Sequence, residues 1–150
     1  MNTGRVEAIN IGPPYQLPQP VERVRADAGK GLVGNRYYFE DGAERGRALT
    51  LIAAEALEAM ADEHGVEITA AESRRNVLTR GIDLNALVGQ RFRVGDVECL
   101  GVELCEPCKS LEGLTRPGVI KGLTHRGGLN ADIVSDGEIA VGDEVVPLSA

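Results

Sequence analysis

The sequence has no tryptophan and only five other aromatic residues, Tyr15, Tyr37, Tyr38, Phe39 and Phe92. It therefore offers few faces on which bases could stack, and its formal net charge of −7 repels a phosphate backbone, so no nucleic-acid partner is expected. No run approaches the roughly 18 uninterrupted apolar residues needed to cross a bilayer, and the amino-terminal segment has neither the basic nor the apolar region of a secretion signal. A cytoplasmic chain with no membrane partner is the expectation. Cysteine is scarce and odd in number, at Cys99, Cys105 and Cys108, which argues against a secreted disulfide framework and for reduced thiols. Lysine is scarcer than the charge count suggests: 13 of the 16 cations are arginine, the side chain whose planar fork of donors holds carboxylates, phosphates and oxyanions. An acidic chain can thus still contain a local anion site.

What is present fits one domain over residues 1–150, with enough apolar content, 43%, to build a core without disulfides or a structural metal. Arg5 to Ile11 alternates like a half-buried strand, and Gly12-Pro13-Pro14 ends it. Val21 to Arg25 supplies a second strand. Gly29 to Arg36 is too rich in glycine for a regular element and reads as a loop whose backbone can approach a partner closely. Arg47 to Ile52 reads as a short buried strand, followed by the one strong helix, Ala53 to His64. Leu57, Met60 and Ala61 form its apolar face, and Gly65 is the expected terminator.

Beyond the helix, Asn76 to Thr79, Arg91 to Val94 and Val97 to Leu104 read as strands, the last losing its clean alternation at Val102. Phe92 to Val97 and Ile139 to Val145 share a strand, Gly-Asp turn, strand pattern and suggest two hairpins. Arg116 to Thr124 suggests a second, shorter helix. Many short strands with one or two covering helices favour a mainly β fold, a closed or nearly closed barrel, over a parallel α/β sheet.

The chemistry concentrates where the strand ending at Leu104 runs into Cys105-Glu106-Pro107-Cys108-Lys109-Ser110. Two thiols at this spacing could bind zinc, act as a redox dithiol, or present one nucleophilic or metal-ligating thiolate. Zinc is disfavoured because a structural site needs about four ligands and the other candidates, Cys99, His64 and His125, are scattered. A thioredoxin-like dithiol is expected at a helix start in a βαβ unit, and here the pair follows a strand in a β-rich region. The single-thiolate reading gains from Lys109, a cation next to Cys108. Inert burial of both thiols stays open beside chemistry, and Cys99 reads as core. Arg74-Arg75-Asn76 and His125-Arg126-Gly127-Gly128 are the other groups of donors suited to an oxyanion, the glycines of the latter letting the backbone close on a ligand. Taken singly, each reads first as a solvated turn or a salt-bridged surface pair, and His125 as a satisfied structural histidine rather than a ligand. The glycine-rich loop is not a phosphate-binding P-loop, having no Gly-Lys-Ser/Thr triplet.

Taken in order, several segments resemble the MOSC family, the domain found at the carboxy end of molybdenum-cofactor sulfurases and as short standalone bacterial proteins. They are Gly31-Leu32-Val33-Gly34-Asn35-Arg36, Leu49-Thr50-Leu51-Ile52, Arg75-Asn76, Gly81-Ile82-Asp83-Leu84-Asn85 with Leu87-Val88-Gly89, Cys105 to Cys108, Arg126-Gly127-Gly128 and Gly137 to Asp143. The resemblance spans nearly the whole chain and implies a MOSC-type (pyruvate kinase-like) β-barrel. It also implies a molybdenum cofactor (molybdopterin), with Cys108 ligating molybdenum or carrying sulfur as a persulfide. Cys105 matches a second position and takes a supporting or resolving role; Arg36, Arg75, Asn76 and Arg126 match polar positions suited to the pterin phosphate and oxo groups. Asn35 stands where relatives often have aspartate, so any role needing a charge there is in doubt.

Two functions follow from the resemblance. The first is a cofactor-binding or sulfur-carrier (sulfurtransferase) domain; the second is a molybdenum-dependent reductase of N-hydroxylated compounds. The chain shows no pyridoxal-phosphate domain and no iron–sulfur cysteine set. Sulfur or electrons would therefore come from a partner: a sulfur donor such as a cysteine desulfurase, a molybdoenzyme, or an electron-transfer protein. A third reading, a barrel that only mediates protein contact, requires both thiols to be buried.

Overall fold

Alternating apolar positions in short segments dictate strands that each have one wet and one dry face, and most of the strands here satisfy their edges by closing on themselves. The computed structural model describes residues 3–148. Its strands are β1 (Gly4–Ile11), β2 (Gln19–Val21), β3 (Arg23–Asp27), β4 (Gly31–Leu32), β5 (Leu49–Ala53), β6 (Val77–Arg80), β7 (Arg91–Val94), β8 (Val97–Leu104), β9 (Leu129–Ile133), β10 (Gly137–Ala140) and β11 (Glu144–Pro147). The helices are α1 (Ala54–His64), α2 (Lys109–Leu114) and α3 (Val119–Leu123).

The main sheet runs β11-β7-β8-β9-β5-β6-β1-β2, and pairing of β1 with β11, Gly4 opposite Val145, closes seven of these strands into a barrel. All ladders in it are antiparallel except β5–β6, the pair joined by the crossover that contains α1. A small sheet, β10-β3-β4, lies beside the barrel. The mainly β barrel expected from the sequence is therefore present. Its core is filled from both halves of the chain: Val6, Ile9, Leu49, Val77, Phe92 and Leu129 are each at most 1% exposed. A second apolar cluster, including Ile52, Met60, Leu111, Val119 and Leu123, fixes α1, α2 and α3 to the outside of the barrel.

Five expectations need correction. Val21 to Arg25 is not one strand: the chain bends at Glu22, and β2 and β3 join different sheets. The glycine-rich loop contains a two-residue strand, β4, paired with β3. The Gly95-Asp96 turn does make the β7–β8 hairpin, but β10 and β11 do not pair with each other; β10 pairs with β3, and β11 with β7 and β1. The cause is capture of the second turn by β1, with Gly142 N–H donating to Val6 O and Val6 N–H to Asp143 O at 2.9 and 2.8 Å. The buried face of α1 is Ala54, Ala56 and Met60, with Leu57 and Ala61 only partly covered, because α3 lies against Met60 where Gly122 has no side chain to obstruct it. Finally, Arg116 to Thr124 shrinks to α3, while α2, unforeseen, begins directly after Cys108.

The uneven alternation near Val102 has a local cause. A bulge shifts the β8–β9 register between Gly101 and Glu103, and Gly101 lies so close to Leu87 O that a Cβ there would be 2.0 Å from it. The bulge turns the end of β8, and with it the cysteine segment, toward the chain before β6. At the end of α1, Gly65 adopts φ 66° and its N–H closes on Ala61 O, as the sequence predicts.

Candidate functional site

The cysteine segment begins as β8 leaves the barrel, and its backbone is held on both sides. Cys105 N–H donates to Gly128 O at 2.7 Å, and Cys105 O accepts from Arg75 Nη2 at 2.9 Å. Arg75 is only 8% exposed, and its planar fork acts as a bracket: Nε donates to Gly127 O at 2.8 Å, Nη1 to Ser73 O at 3.1 Å, and Nη2 reaches Glu106 O as well, at 3.4 Å. Much of its donor capacity is thus spent on three segments of the protein itself. Asn76 is likewise engaged: Oδ1 accepts from the N–H and hydroxyl of Thr50, and Nδ2 donates to Asn10 O, all at 3.1 Å.

Gly127 and Gly128 were expected to let the backbone close on a ligand; they close on the chain instead. A Cβ at Gly127 would lie 2.5 Å from Cys105 O, and one at Gly128, already at φ 120°, would lie 2.1 Å from Leu51 O. Next to them, His125 takes a left-handed φ of 64°. Its N–H donates to Glu106 Oε1 at 2.7 Å, Nδ1 lies 3.0 Å from Glu106 Oε2, and its carbonyl accepts from Asn85 Nδ2 at 2.8 Å. The backbone N–H of His125, followed by its ring, holds the Glu106 carboxyl below its ordinary value. His125 is thereby a tie for the cysteine segment.

Above this frame lies a cleft in two connected parts. The inner part, about 330 Å3, is lined by Arg36, Tyr37, Arg47, Arg74, Cys105 and Cys108 among others. The outer part, about 600 Å3, shares Arg36, Tyr37, Arg74, Arg75 and Cys108 with it and adds an apolar wall of Pro14, Tyr15, Phe39, Leu111 and Leu114. Three of these wall residues, Tyr15, Phe39 and Leu114, are large apolar side chains left exposed. The guanidinium carbons of Arg36 and Arg47 lie 4.9 and 5.5 Å from the centroid of the Tyr37 ring, so one aromatic ring organises two cations. Arg74 sits at φ 61° and donates to Gln16 O at 3.1 Å; burial and then the charge of Arg36 make its guanidinium less basic than usual. Among the described residues, Arg36, Arg47 and Arg74 form no ion pair with a carboxylate. Glu103 and Glu106 also line the inner part, but four arginines, Arg36, Arg47, Arg74 and Arg75, outnumber them, and that balance on a concave surface favours an anion.

The three thiols differ. Cys99 is core, as expected, and burial pushes it up to about 12. Cys105 is half-buried, and burial raises its thiol above the ordinary range, against an opposing pull from Arg75. Cys108 is exposed, at the boundary shared by both parts of the cleft, so the reading that required both thiols to be buried does not hold.

Of the residues singled out in the sequence, Cys105, Cys108, Arg36, Arg75 and Asn76 come together around the inner cleft, and Arg126 does not. Arg126 lies in a separate pocket of about 480 Å3 with Glu55, Asp83 and Asn85. Both of its terminal nitrogens face Glu63 carboxylate oxygens at 3.2 Å, and Nε donates to Gly122 O at 2.8 Å. Arg47 and Tyr37 were missed. Tyr37 could have been suspected from its place beside Arg36; nothing in the sequence distinguishes Arg47 from Arg45. Asn35, where an aspartate was the expected type, keeps a polar contact, its Oδ1 accepting from Gly12 N–H at 3.4 Å.

Among the described residues, no three His, Cys, Asp or Glu side chains gather as a metal cluster. None of their helices is long and apolar enough to cross a membrane. No curated protein sequence matches the chain. Among solved structures, it is similar to the YuaD protein from Bacillus subtilis at 18% identity, with 100% of each chain covered and a TM-score of 0.84. It is also similar to YiiM from Geobacillus stearothermophilus at 17% identity, covering 97% of this chain and 75% of that one with a TM-score of 0.76. For YiiM from Escherichia coli the identity is 17%, the coverage 97% and 70%, and the TM-score 0.70. At these identities the likeness is one of fold. The MOSC domain model, however, matches residues 19–146, most of the chain, and with the barrel and cleft in view the chain belongs to the MOSC domain family, a family associated with the molybdenum cofactor.

Proposed function

We propose that the arginine-lined cleft binds an anionic ligand of molybdenum-cofactor type, with Cys108 as the thiolate that ligates its metal or carries sulfur for it as a persulfide. The observation that carries this reading is the position of Cys108, an exposed thiol on a cleft whose Arg36, Arg47 and Arg74 have no carboxylate partner among the described residues. The donor set fits the group. A polarizable sulfur is the ligand type a soft metal–sulfur centre takes, and guanidinium forks suit a phosphate. A cofactor that brings its own sulfur ligands needs only one thiolate from the protein. When bound, the cofactor would supply a redox-active metal; the chain's own residues hold the phosphate, present the thiol and, through Arg75 and Gly127, fix the segment that bears it.

One observation favours a second reading, a molybdenum-dependent reductase of N-hydroxylated compounds. The outer part of the cleft, walled by Tyr15, Phe39 and Leu114, offers room for an organic molecule next to Cys108. In either case sulfur or electrons come from a partner: a cysteine desulfurase, a molybdoenzyme or an electron-transfer protein.

The test is anaerobic purification of wild type and Cys108→Ser from a host that makes the cofactor, with molybdenum measured by mass spectrometry and pterin by the fluorescence of its oxidised form. Near-stoichiometric metal and pterin in wild type alone is the expected result. Equal retention in both proteins overturns the assignment of Cys108. If neither retains cofactor, Cys108 is assayed for labile sulfur, and its absence overturns the sulfur-carrier form as well. Reductase turnover with an added electron donor separates the second reading from the first.

A further inference from the structure

The cysteine segment contains two thiols, and the cofactor reading uses one. Both line the inner cleft, with two residues between them in sequence, but in opposite circumstances. Cys105 is half-buried and anchored by backbone bonds on each side, to Gly128 O and from Arg75 Nη2. Cys108 is exposed, as are Lys109 and Ser110 after it. One thiol is fixed and covered and the other is presented to solvent, the division of labour needed for a two-step exchange with a disulfide. Arg36, Arg47, Arg74 and Arg75 outnumber Glu103 and Glu106 on the same lining and add a preference about what can approach, since the net positive balance draws a disulfide carrying carboxylates and disfavours a cationic one.

We propose that Cys105 and Cys108 form a dithiol site that exchanges with anionic low-molecular-weight disulfides, Cys108 taking up the incoming molecule and Cys105 resolving the adduct. With glutathione disulfide the Cys108 thiolate attacks one sulfur, forming a Cys108–glutathione bond and releasing one glutathione thiolate. The Cys105 thiol then gives its proton to solvent and its sulfur attacks that of Cys108, forming the Cys105–Cys108 bond and expelling the second glutathione. The protein loses two electrons and the glutathione disulfide gains them. Cys105 is the less accessible of the two thiols, so the first attack falls to Cys108. This site does not depend on the cofactor reading, but it bears on it: an oxidised pair has no thiolate left at Cys108.

The experiment uses reduced, cofactor-free wild type, Cys105→Ser and Cys108→Ser, each incubated with glutathione disulfide and, separately, with cystamine. Products are followed by intact mass and by peptide mapping after alkylation. Wild type is expected to give the Cys105–Cys108 disulfide with no retained glutathione, Cys105→Ser to stop at one glutathione on Cys108, and Cys108→Ser to lose most of its reactivity. Glutathione disulfide should react with wild type about tenfold or more faster than cystamine at low salt, and the gap should narrow as salt rises. Wild type that keeps glutathione on Cys108 as Cys105→Ser does, or that does not react, overturns the dithiol. Because that result is read on wild type, it stands even if a variant folds poorly. Cystamine reacting as fast as glutathione disulfide overturns the anion preference.

Discussion

Arg75 holds the carbonyl of Cys105 at 2.9 Å from beneath the cleft while donating to Gly127 and Ser73. One guanidinium thus joins the cysteine segment, the Gly127-Gly128 turn and the chain entering β6. Arg75→Met keeps most of the apolar stem and removes the fork, leaving buried carbonyls without donors. A loss of about 2–4 kcal/mol is expected in denaturant unfolding. The cysteine segment should also exchange its amide hydrogens faster than the barrel strands do.

Arg36 and Arg74 face the cleft free of carboxylates, whereas Arg126 is paired with Glu63 elsewhere. Arg36→Ala and Arg74→Ala should each weaken binding of an anionic pterin about tenfold or more, as expected when a charged hydrogen bond to a ligand is removed, with little change in unfolding free energy. Arg126→Ala should leave binding unchanged and lower stability only modestly, through loss of the bond to Gly122 O, its exposed pair with Glu63 contributing little. Parallel titration and denaturation of the three variants checks this, and a binding loss confined to Arg126→Ala would reverse the assignment.

Gly127 has no room for a side chain beside Cys105 and Pro107. Gly127→Ala should displace the cysteine segment, destabilise the protein by about 1–3 kcal/mol and change the alkylation rate of Cys108. An unchanged alkylation rate would show that the thiol's setting does not depend on this contact.

The Glu106–His125 tie sets a pH dependence. The folded carboxyl lies below its ordinary value of 4.5, chiefly through the His125 N–H, so its contribution is present above the unfolded value and is lost as pH falls through the folded one. The tie should survive mild acid and break only below the ordinary carboxylate range. In Glu106→Gln that acid step should disappear from the chemical shift of the His125 amide.

Local pattern was enough to read β7, β8 and α1 from the sequence, since hairpin alternation and a glycine terminator act over a few residues. It failed at β10 and β11, where a Gly-Asp turn resembling that of Gly95-Asp96 is captured by Val6, far away in the chain. It also failed at α2, whose six residues pack through Leu111 onto α1 and α3 rather than forming on their own propensity. The site divided along the same line. The exposed thiol and Arg36 were visible as residue types in a motif, but whether an arginine is free or spent depends on partners from other segments: Gly127 for Arg75, Glu63 for Arg126. Arg47 became visible only through the Tyr37 ring it shares with Arg36.

Closure of the barrel through Gly4 and Val145 makes the order of synthesis matter. Among the barrel strands β1 is made before the others and finds its β11 neighbour only when that strand has emerged, so during translation the start of β1, which β2 does not cover, carries an unsatisfied edge. Contacts of such long sequence separation slow folding and leave a strand open to pairing with other chains meanwhile. The cleft inherits this delay, because Gly127 and Gly128, which pin the cysteine segment, follow Cys108 in the chain; a nascent chain that already contains Cys108 would carry its thiol before it has the pocket around it.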